Sequence, residues 1–232
     1  MNDTADRKAR LQTLDRGLVA LRLLSQANGG MRIADLAGAL GVHRAIAYRI
    51  VATLEDHAMV WRLPDGRVTL GSAVIPLAAK AEGNLRLVAR PLVEALARRV
   101  DAAAFLSIAD GGEGVAIVTA APPGGFLDIS YRVGSRHPLT VGAAGIAILA
   151  GRPEQPGEDE AVRAARRDGY SLTRGQLQKG AVGLASPVRA PGAHAPALDC
   201  AVGVVGLEGL DIDLARRAVL GCANELSARL AG

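Results

Sequence analysis

Three short amphipathic segments followed by a hairpin signal occupy residues 13–71, and that order constrains the fold more than any other feature. "LDRGLVALRLLSQA" (14–27) puts Leu14, Leu18, Leu21 and Leu24 at helical spacing, with Thr13 as a candidate N-cap and "NGG" (28–30) as the stop. "MRIADLAGALG" (31–41) places Ile33, Leu36, Ala37 and Leu40 on one face, with Gly41 just past the end. A third segment, "GVHRAIAYRIVATL" (41–54), follows after a glycine turn. "MVWRLPDGRVTLG" (59–71) then predicts strands over Val60–Arg62 and Arg67–Leu70 around a tight "PDG" turn. Three helices with a glycine between the second and third, then a hairpin, are the order of a winged helix-turn-helix.

The third segment has two faces. At about 100° per residue, Ile50, Ala47, Leu54, Ala58 and Val51 cluster in one sector and should face the other helices. The opposite sector carries Ala45, Tyr48, Arg49 and Ala52, with Arg44 at its margin. Small alanines allow close approach to a surface. Arginine suits the paired acceptors of guanine, and tyrosine a phosphate or a thymine methyl. This makes Arg44, Ala45, Tyr48 and Arg49 the candidate DNA-contacting residues, with Arg62 and Arg67 on the wing as grips for neighbouring phosphates. The plain alternative is a solvated helix face. Trp61, the single tryptophan, is expected to pack against the helices.

Charge supports this reading weakly. The chain carries 27 basic and 23 acidic residues, a net +4. Residues 1–71 hold ten Lys/Arg against seven Asp/Glu, and the remainder seventeen against sixteen. A mildly basic first third fits a polyanion partner without requiring one. No run of eighteen apolar residues is present, so no membrane span is expected. The polar start and two cysteines in 232 residues suggest the reducing cytoplasm.

Downstream, 72–84 is expected as a connecting helix and 85–100 as a second one, with Leu85, Val88, Leu92, Leu96 and Val100 in one stripe. Strands are expected over 102–109, 114–121 and 126–134, and in "GLASPVRA" and "DCAVGVVGL". Helices are expected over 140–151, 156–168 and 211–232, the last with Leu214, Ala218, Cys222 and Leu226 along one side. Antiparallel sheet with flanking helices fits α+β.

Several stretches together resemble the IclR family of bacterial transcriptional regulators. These are "LDRGLVALRLL", "IADLAGALGV", "YRIVATLEDHAMV" and "VTLG" in the first part, then "VGSRHPLTVGAAGIAILAG" (133–151) and "RRDGYSLTRGQLQKGAVGLASPV" (166–188). The resemblance spans residues 13–230 in order. It implies an N-terminal winged helix-turn-helix joined by a linker helix to a GAF-like α/β effector domain. The divisions are a flexible tail (1–12), the DNA-binding domain (13–72), the linker helix (73–84) and an effector-binding and oligomerisation domain (85–232). It also implies a homodimer or homotetramer on a palindromic double-stranded operator, acting as repressor or activator under a small organic effector.

Carried over residue by residue, the family's effector positions fall on Thr173, Gly183, Gly203 and Val205; Tyr131, Leu139, Val141, Gly142 and Ala143 are the remaining effector-binding candidates, with ordinary core as their plain alternative. Departures are concentrated here. Thr173 stands at an acidic position, Gly183 at a cysteine, Gly203 and Val205 at serines, and Ile146 where a lysine often follows the helix glycine. Ala45 and Ile46 replace a serine–threonine pair early in the third helix. The loss of polar anchors points to an apolar or aromatic effector, the alternative being a ligand-independent dimerisation unit.

No cofactor, metal site or enzyme activity is expected. His43, His57, His137 and His194 fall in no metal-binding spacing. Ser186 lacks the flanking glycines of a nucleophile elbow, and "GGEG" lacks the lysine of a phosphate loop. A metal or redox sensor built on Cys200, Cys222, His137 and His194 is the competing reading, against buried cysteines acting as small hydrophobes.

Overall fold

A computed structural model describes residues 11–122, 131–189 and 199–230. The chain divides into two compact units, residues 1–82 and 83–232.

In the first unit, helix α1 (Gln12–Gln26), strand β1 (Met31–Arg32), helix α2 (Ile33–Ala39), helix α3 (Arg44–Asp56) and strands β2 (Val60–Arg62) and β3 (Arg67–Leu70) follow in order. The strands form an antiparallel sheet in the order β1-β3-β2. Two-residue β1, paired Met31↔Val68 and Arg32↔Arg67, is too short for an alternation pattern to reveal. The core comprises Ala20, Leu24, Ile33, Leu36, Ala37, Ala47, Ile50, Val51, Val60 and Val68. It therefore uses the inward faces expected of α2 and α3, while α1 contributes Ala20 and Leu24. Gly41, between α2 and α3, has φ +63°, a conformation glycine adopts without Cβ strain.

Four local expectations fail in this unit. Leu11, not Thr13, sits at the α1 N-cap, and no side chain caps it. Leu14 and Leu18 are exposed, and only Leu24 of that stripe is fully buried, with Leu21 packed at the margin. Ala58 lies beyond α3, exposed and at φ +51°. Trp61 is 60% exposed: β2 turns Val60 into the core, and strand alternation sends its neighbour outward.

Helix α4 (Val74–Val100) is one continuous element, where two helices meeting at 84/85 were expected. Glycine at 83 costs about 1 kcal/mol in a helix interior, which packing of the following stripe offsets. Leu92, Leu96 and Val100 of that stripe are buried, and Leu85 and Val88 pack against the same cluster.

The second unit is built on a six-stranded antiparallel sheet. Its strands are β4 (Ala103–Asp110), β5 (Glu113–Ala120), β6 (Arg136–Pro138), β7 (Ser171–Arg174), β8 (Ala181–Pro187) and β9 (Cys200–Leu207). The order is β6-β5-β4-β9-β8-β7. Strand alternation divides its side chains between two layers. Ala104, Leu106, Leu184, Cys200, Val202 and Val204 join α4 and the final helix α7 (Ile212–Arg229) in one core. Phe105, Ala185 and Ala201 pack on the other face against helix α5 (Gly142–Gly151). Helix α6 (Glu160–Asp168) covers α5 through Val162 and Ala165. Arg166 of α6 donates to the carbonyls of Leu149, Ala150 and Arg152 and pairs with Glu158. It thereby satisfies backbone groups that the α5 C-terminus leaves without partners.

Within 126–134, residues 126–130 lie outside the described residues. Residues 131–134 end in a turn at 133–134 rather than forming the expected strand. Strands β6 and β7, three and four residues long, were not anticipated. The expected tail over 1–12 lies outside the described residues except for 11 and 12.

Candidate functional site

The first candidate surface is the outer face of α3. Ala47, Ile50 and Val51 anchor the helix, and Leu54 packs at the margin. Arg44, Ala45, Tyr48, Arg49 and Ala52 are all exposed, with Tyr48 51% accessible. The residues selected by angle therefore stand together on an open surface.

The two wing arginines are already engaged. Arg62 donates through Nε to Glu55 Oε1 (3.3 Å) and through Nη2 to Oε2 (2.9 Å). Its guanidinium lies 5.9 Å from the Tyr48 ring centroid. Arg67 Nε donates to Asp65 Oδ2 (2.6 Å), and the Arg67 amide to Oδ1 (3.0 Å). That amide and guanidinium hold the Asp65 carboxyl below the usual carboxylate range. Among the described residues neither Arg44 nor Arg49 has an ion-pair partner. The helix arginines are thus available to an outside anion, whereas the wing arginines must exchange a carboxylate for it. Glu55, missed by sequence reasoning, becomes visible only once β2 is placed beside α3.

The second candidate site is a cavity of about 350 Å³ in the second unit. Its floor is a cross-strand row: Thr173 pairs with Gly183, and Gly183 with Val205. The absent side chain at Gly183 matters, since a Cβ there would stand 3.2 Å from both Ala143 Cβ and Thr173 Oγ1. Phe105, Tyr131, Ala143 and Ala144 supply apolar wall. Phe105 and Tyr131 are tilted at 55°, with centroids 4.8 Å apart.

Of the nine effector candidates, Tyr131, Ala143, Thr173, Gly183 and Val205 line this cavity. Leu139, Val141, Gly142 and Gly203 do not. Leu139 is buried, and its carbonyl stands 2.4 Å from where a Cβ on Gly145 would be. Val141 is the N-cap of α5. Gly142 donates its amide to Gln176 Oε1 (2.9 Å) and is covered by Leu177. Gly203 is sealed: an added Cβ would lie 2.4 Å from the Leu184 carbonyl oxygen and 2.7 Å from Phe105 Cζ.

The cavity is more polar than the sequence suggested. Ser135, Arg136, His137, Gln176 and Gln178 also line it. Arg136 is held by Asp110 (2.6 Å) and Glu113 (2.8 Å). A buried hydrogen-bonded chain runs along one wall. Ser107 Oγ lies 3.1 Å from the Tyr131 hydroxyl, and that hydroxyl 3.2 Å from His137 Nε2. His137 Nδ1 lies 3.1 Å from the Pro138 carbonyl oxygen. Burial pushes the Tyr131 phenol above its ordinary value, with the Ser107 hydrogen bond opposing. The irregularity between Leu106 and Ser107 falls beside this chain, where bulges commonly re-aim a side chain.

The sensor residues do not converge on a metal. Cys200 and Cys222 sit in the hydrophobic core, His137 contacts Tyr131 and Pro138, and His194 lies outside the described residues. Among the described residues no cluster of three or more potential metal ligands forms. Burial raises the Cys200 thiol to about 12 and the Cys222 thiol to about 11. Both remain protonated and weakly nucleophilic near neutrality.

Residues 13–64 match the family model described as the IclR helix-turn-helix domain. The chain is 29% identical over 150 residues to the HTH-type transcriptional regulator Rv1719 of Mycobacterium tuberculosis, covering 64% of this chain and 58% of that protein. It is 27% identical over 146 residues to the HTH-type transcriptional regulator TtgV of Pseudomonas putida, covering 62% and 56%. It thus spans a little over half the length of these relatives. The match to the glycerol operon regulatory protein of Streptomyces griseus is longer: 28% identity over 222 residues, 86% of this chain and 85% of that one. Among solved structures, an IclR transcriptional regulator from Alicyclobacillus acidocaldarius superposes with TM-score 0.57 at 23% identity, covering 96% of this chain and all of that one. An IclR homologue from Microbacterium hydrocarbonoxydans, complexed with 4-hydroxybenzoate, does so with TM-score 0.56 at 20% identity, covering 94% and 98%. Among the described residues no helix is long and apolar enough to cross a membrane.

Proposed function

We propose that this chain, whose residues 13–64 belong to the IclR helix-turn-helix family and whose fold is that of IclR regulators, is a sequence-specific DNA-binding transcriptional regulator controlled by a small organic effector. The observation that carries this reading is the open outer face of α3. Arg44, Ala45, Tyr48 and Arg49 are exposed there while the opposite face fills a core. A helix anchored on one side and basic on the other, with only small residues between, fits the major groove.

In this reading residues 13–72 bind DNA, residues 73–84 link, and residues 85–232 bind effector and oligomerise. The protein acts in the cytoplasm. A homodimer would place two copies of α3 on a palindromic operator. The exposed Leu14 and Leu18 of α1, with Leu11 at its N-cap, supply apolar surface for such pairing. Arg62 and Arg67 contribute to the wing contact after exchanging Glu55 and Asp65 for phosphate. The effector occupies the cavity over Thr173, Gly183 and Val205. Its aromatic and alanine walls suit a small apolar or aromatic molecule, and the 4-hydroxybenzoate in a relative of the same fold supports that class.

The test is selection of duplexes from a random-sequence pool by the full chain. A preferred sequence with two-fold symmetry is expected. Recovery of a pool indistinguishable from the input would overturn the reading.

A further inference from the structure

We infer that the effector cavity selects ligands bearing a hydrogen-bond donor on an aromatic ring, phenols above all, because the Ser107–Tyr131–His137 chain commits every one of its own hydrogens. This rests on the effector reading above and narrows it.

The argument is a count of hydrogens. His137 Nδ1 lies 3.1 Å from the Pro138 carbonyl oxygen, and a carbonyl can only accept. Nδ1 therefore carries the proton of the neutral imidazole, and Nε2 presents a bare lone pair. The Tyr131 hydroxyl, 3.2 Å from Nε2, gives it its single hydrogen. Toward Ser107, 3.1 Å away, the phenolic oxygen can then only accept, so Ser107 donates. One lone pair on Tyr131 is what this wall has left to offer.

At this wall, against which Phe105 places an aromatic ring, a ligand oxygen without a hydrogen would face that lone pair with its own and gain nothing for leaving water; the donors of Arg136, Gln176 and Gln178 stand elsewhere on the lining. An O–H or N–H would find a fixed acceptor. Leaving buried polar groups unmatched is what lets such sites discriminate strongly.

The surroundings fix the chain in this state. Ser107 is fully buried and His137 is 5% exposed. The imidazole lies against Gly114, where a Cβ would stand 3.0 Å from Cε1. Glycine leaves the ring its place there, and the contacts of its two nitrogens with Tyr131 and the Pro138 carbonyl hold its orientation. Phe105, tilted against Tyr131, also lines the cavity and gives an aromatic ligand ring apolar wall to meet. The cavity, about 350 Å³, accommodates a single substituted ring.

The experiment uses three probes of similar shape at pH 8: phenol, anisole and toluene. Calorimetry on the full wild-type chain should show phenol binding at least about tenfold more tightly than the other two. In Tyr131→Phe the ratio of phenol to toluene affinity should fall below about threefold. Nitrogen-15 spectra of the ligand-free protein should place the His137 proton on Nδ1, a readout that needs neither ligand nor variant. Equal affinities for phenol and anisole, or a proton on Nε2, would overturn the inference and leave the effector reading standing. Failure of all three probes to bind would overturn the aromatic-effector reading and this inference with it.

Discussion

The two candidate sites are built in opposite ways. On α3 the chemistry points outward from a helix whose other face is core. The effector cavity is assembled from residues far apart in sequence, meeting over a sheet whose row Thr173–Gly183–Val205 is set by strand register. The first tolerates variation in its outward residues without loss of fold. The second cannot, because the residues that shape the cavity also pack it.

The largest expected effect breaks the second site and spares the first. Gly203→Val drives side-chain atoms into the Leu184 carbonyl and the Phe105 ring. It should cost about 3 kcal/mol or more, seen as loss of the thermal transition of the second unit. Retention of wild-type melting would show that this packing is not what shapes the cavity. Next, Leu36→Ala removes a fully buried side chain from the first core and should cost about 2–5 kcal/mol in denaturant titration, with loss of DNA binding. An effect below 1 kcal/mol would mean that the core collapses easily onto the gap.

A smaller effect separates wing from helix. Arg62 already holds Glu55 in a half-exposed pair of a kind worth about 0–1 kcal/mol. Arg62→Ala should therefore weaken DNA binding by less than about 1 kcal/mol in a band-shift titration, below the loss for Arg49→Ala. The reverse ranking would make the wing the principal contact.

The smallest effect concerns the thiols. Their folded-state values lie above the ordinary thiol value of 9.0, at about 12 and about 11. The folded state holds these protons more firmly, so the stabilisation is complete below pH 9 and is lost as pH rises toward 11–12. At pH 8 both cysteines should resist a disulfide reagent that labels unfolded chain at once. Rapid labelling of the folded protein would revive the redox reading.

The contrast also explains what the sequence could reveal. The α3 face was legible because one periodicity sorts buried from exposed within a single helix, and Arg44, Ala45, Tyr48 and Arg49 fall where the angle puts them. Trp61 was misplaced because hydrophobicity was weighed above strand alternation. In the second unit the main strands and helices were legible, whereas the short β6 and β7 were not. His137 enters the cavity wall only because β6 pairs with β5 at Gly114. The chain from Ser107 to His137 joins residues thirty positions apart, and no local pattern announces it. The motif positions Thr173, Gly183 and Val205 reached the cavity floor because they share one cross-strand row. Gly203 belongs to a neighbouring row, closed by Phe105.

The most direct test of the central claim is the affinity of wild type and Arg49→Ala for two duplexes, the preferred sequence and a scrambled one of equal length, at one salt concentration. A reading contact predicts a loss of about 1–3 kcal/mol on the preferred duplex and a much smaller one on the scrambled duplex. Equal losses on both, or none on either, would contradict the assignment of α3 as the element that reads DNA.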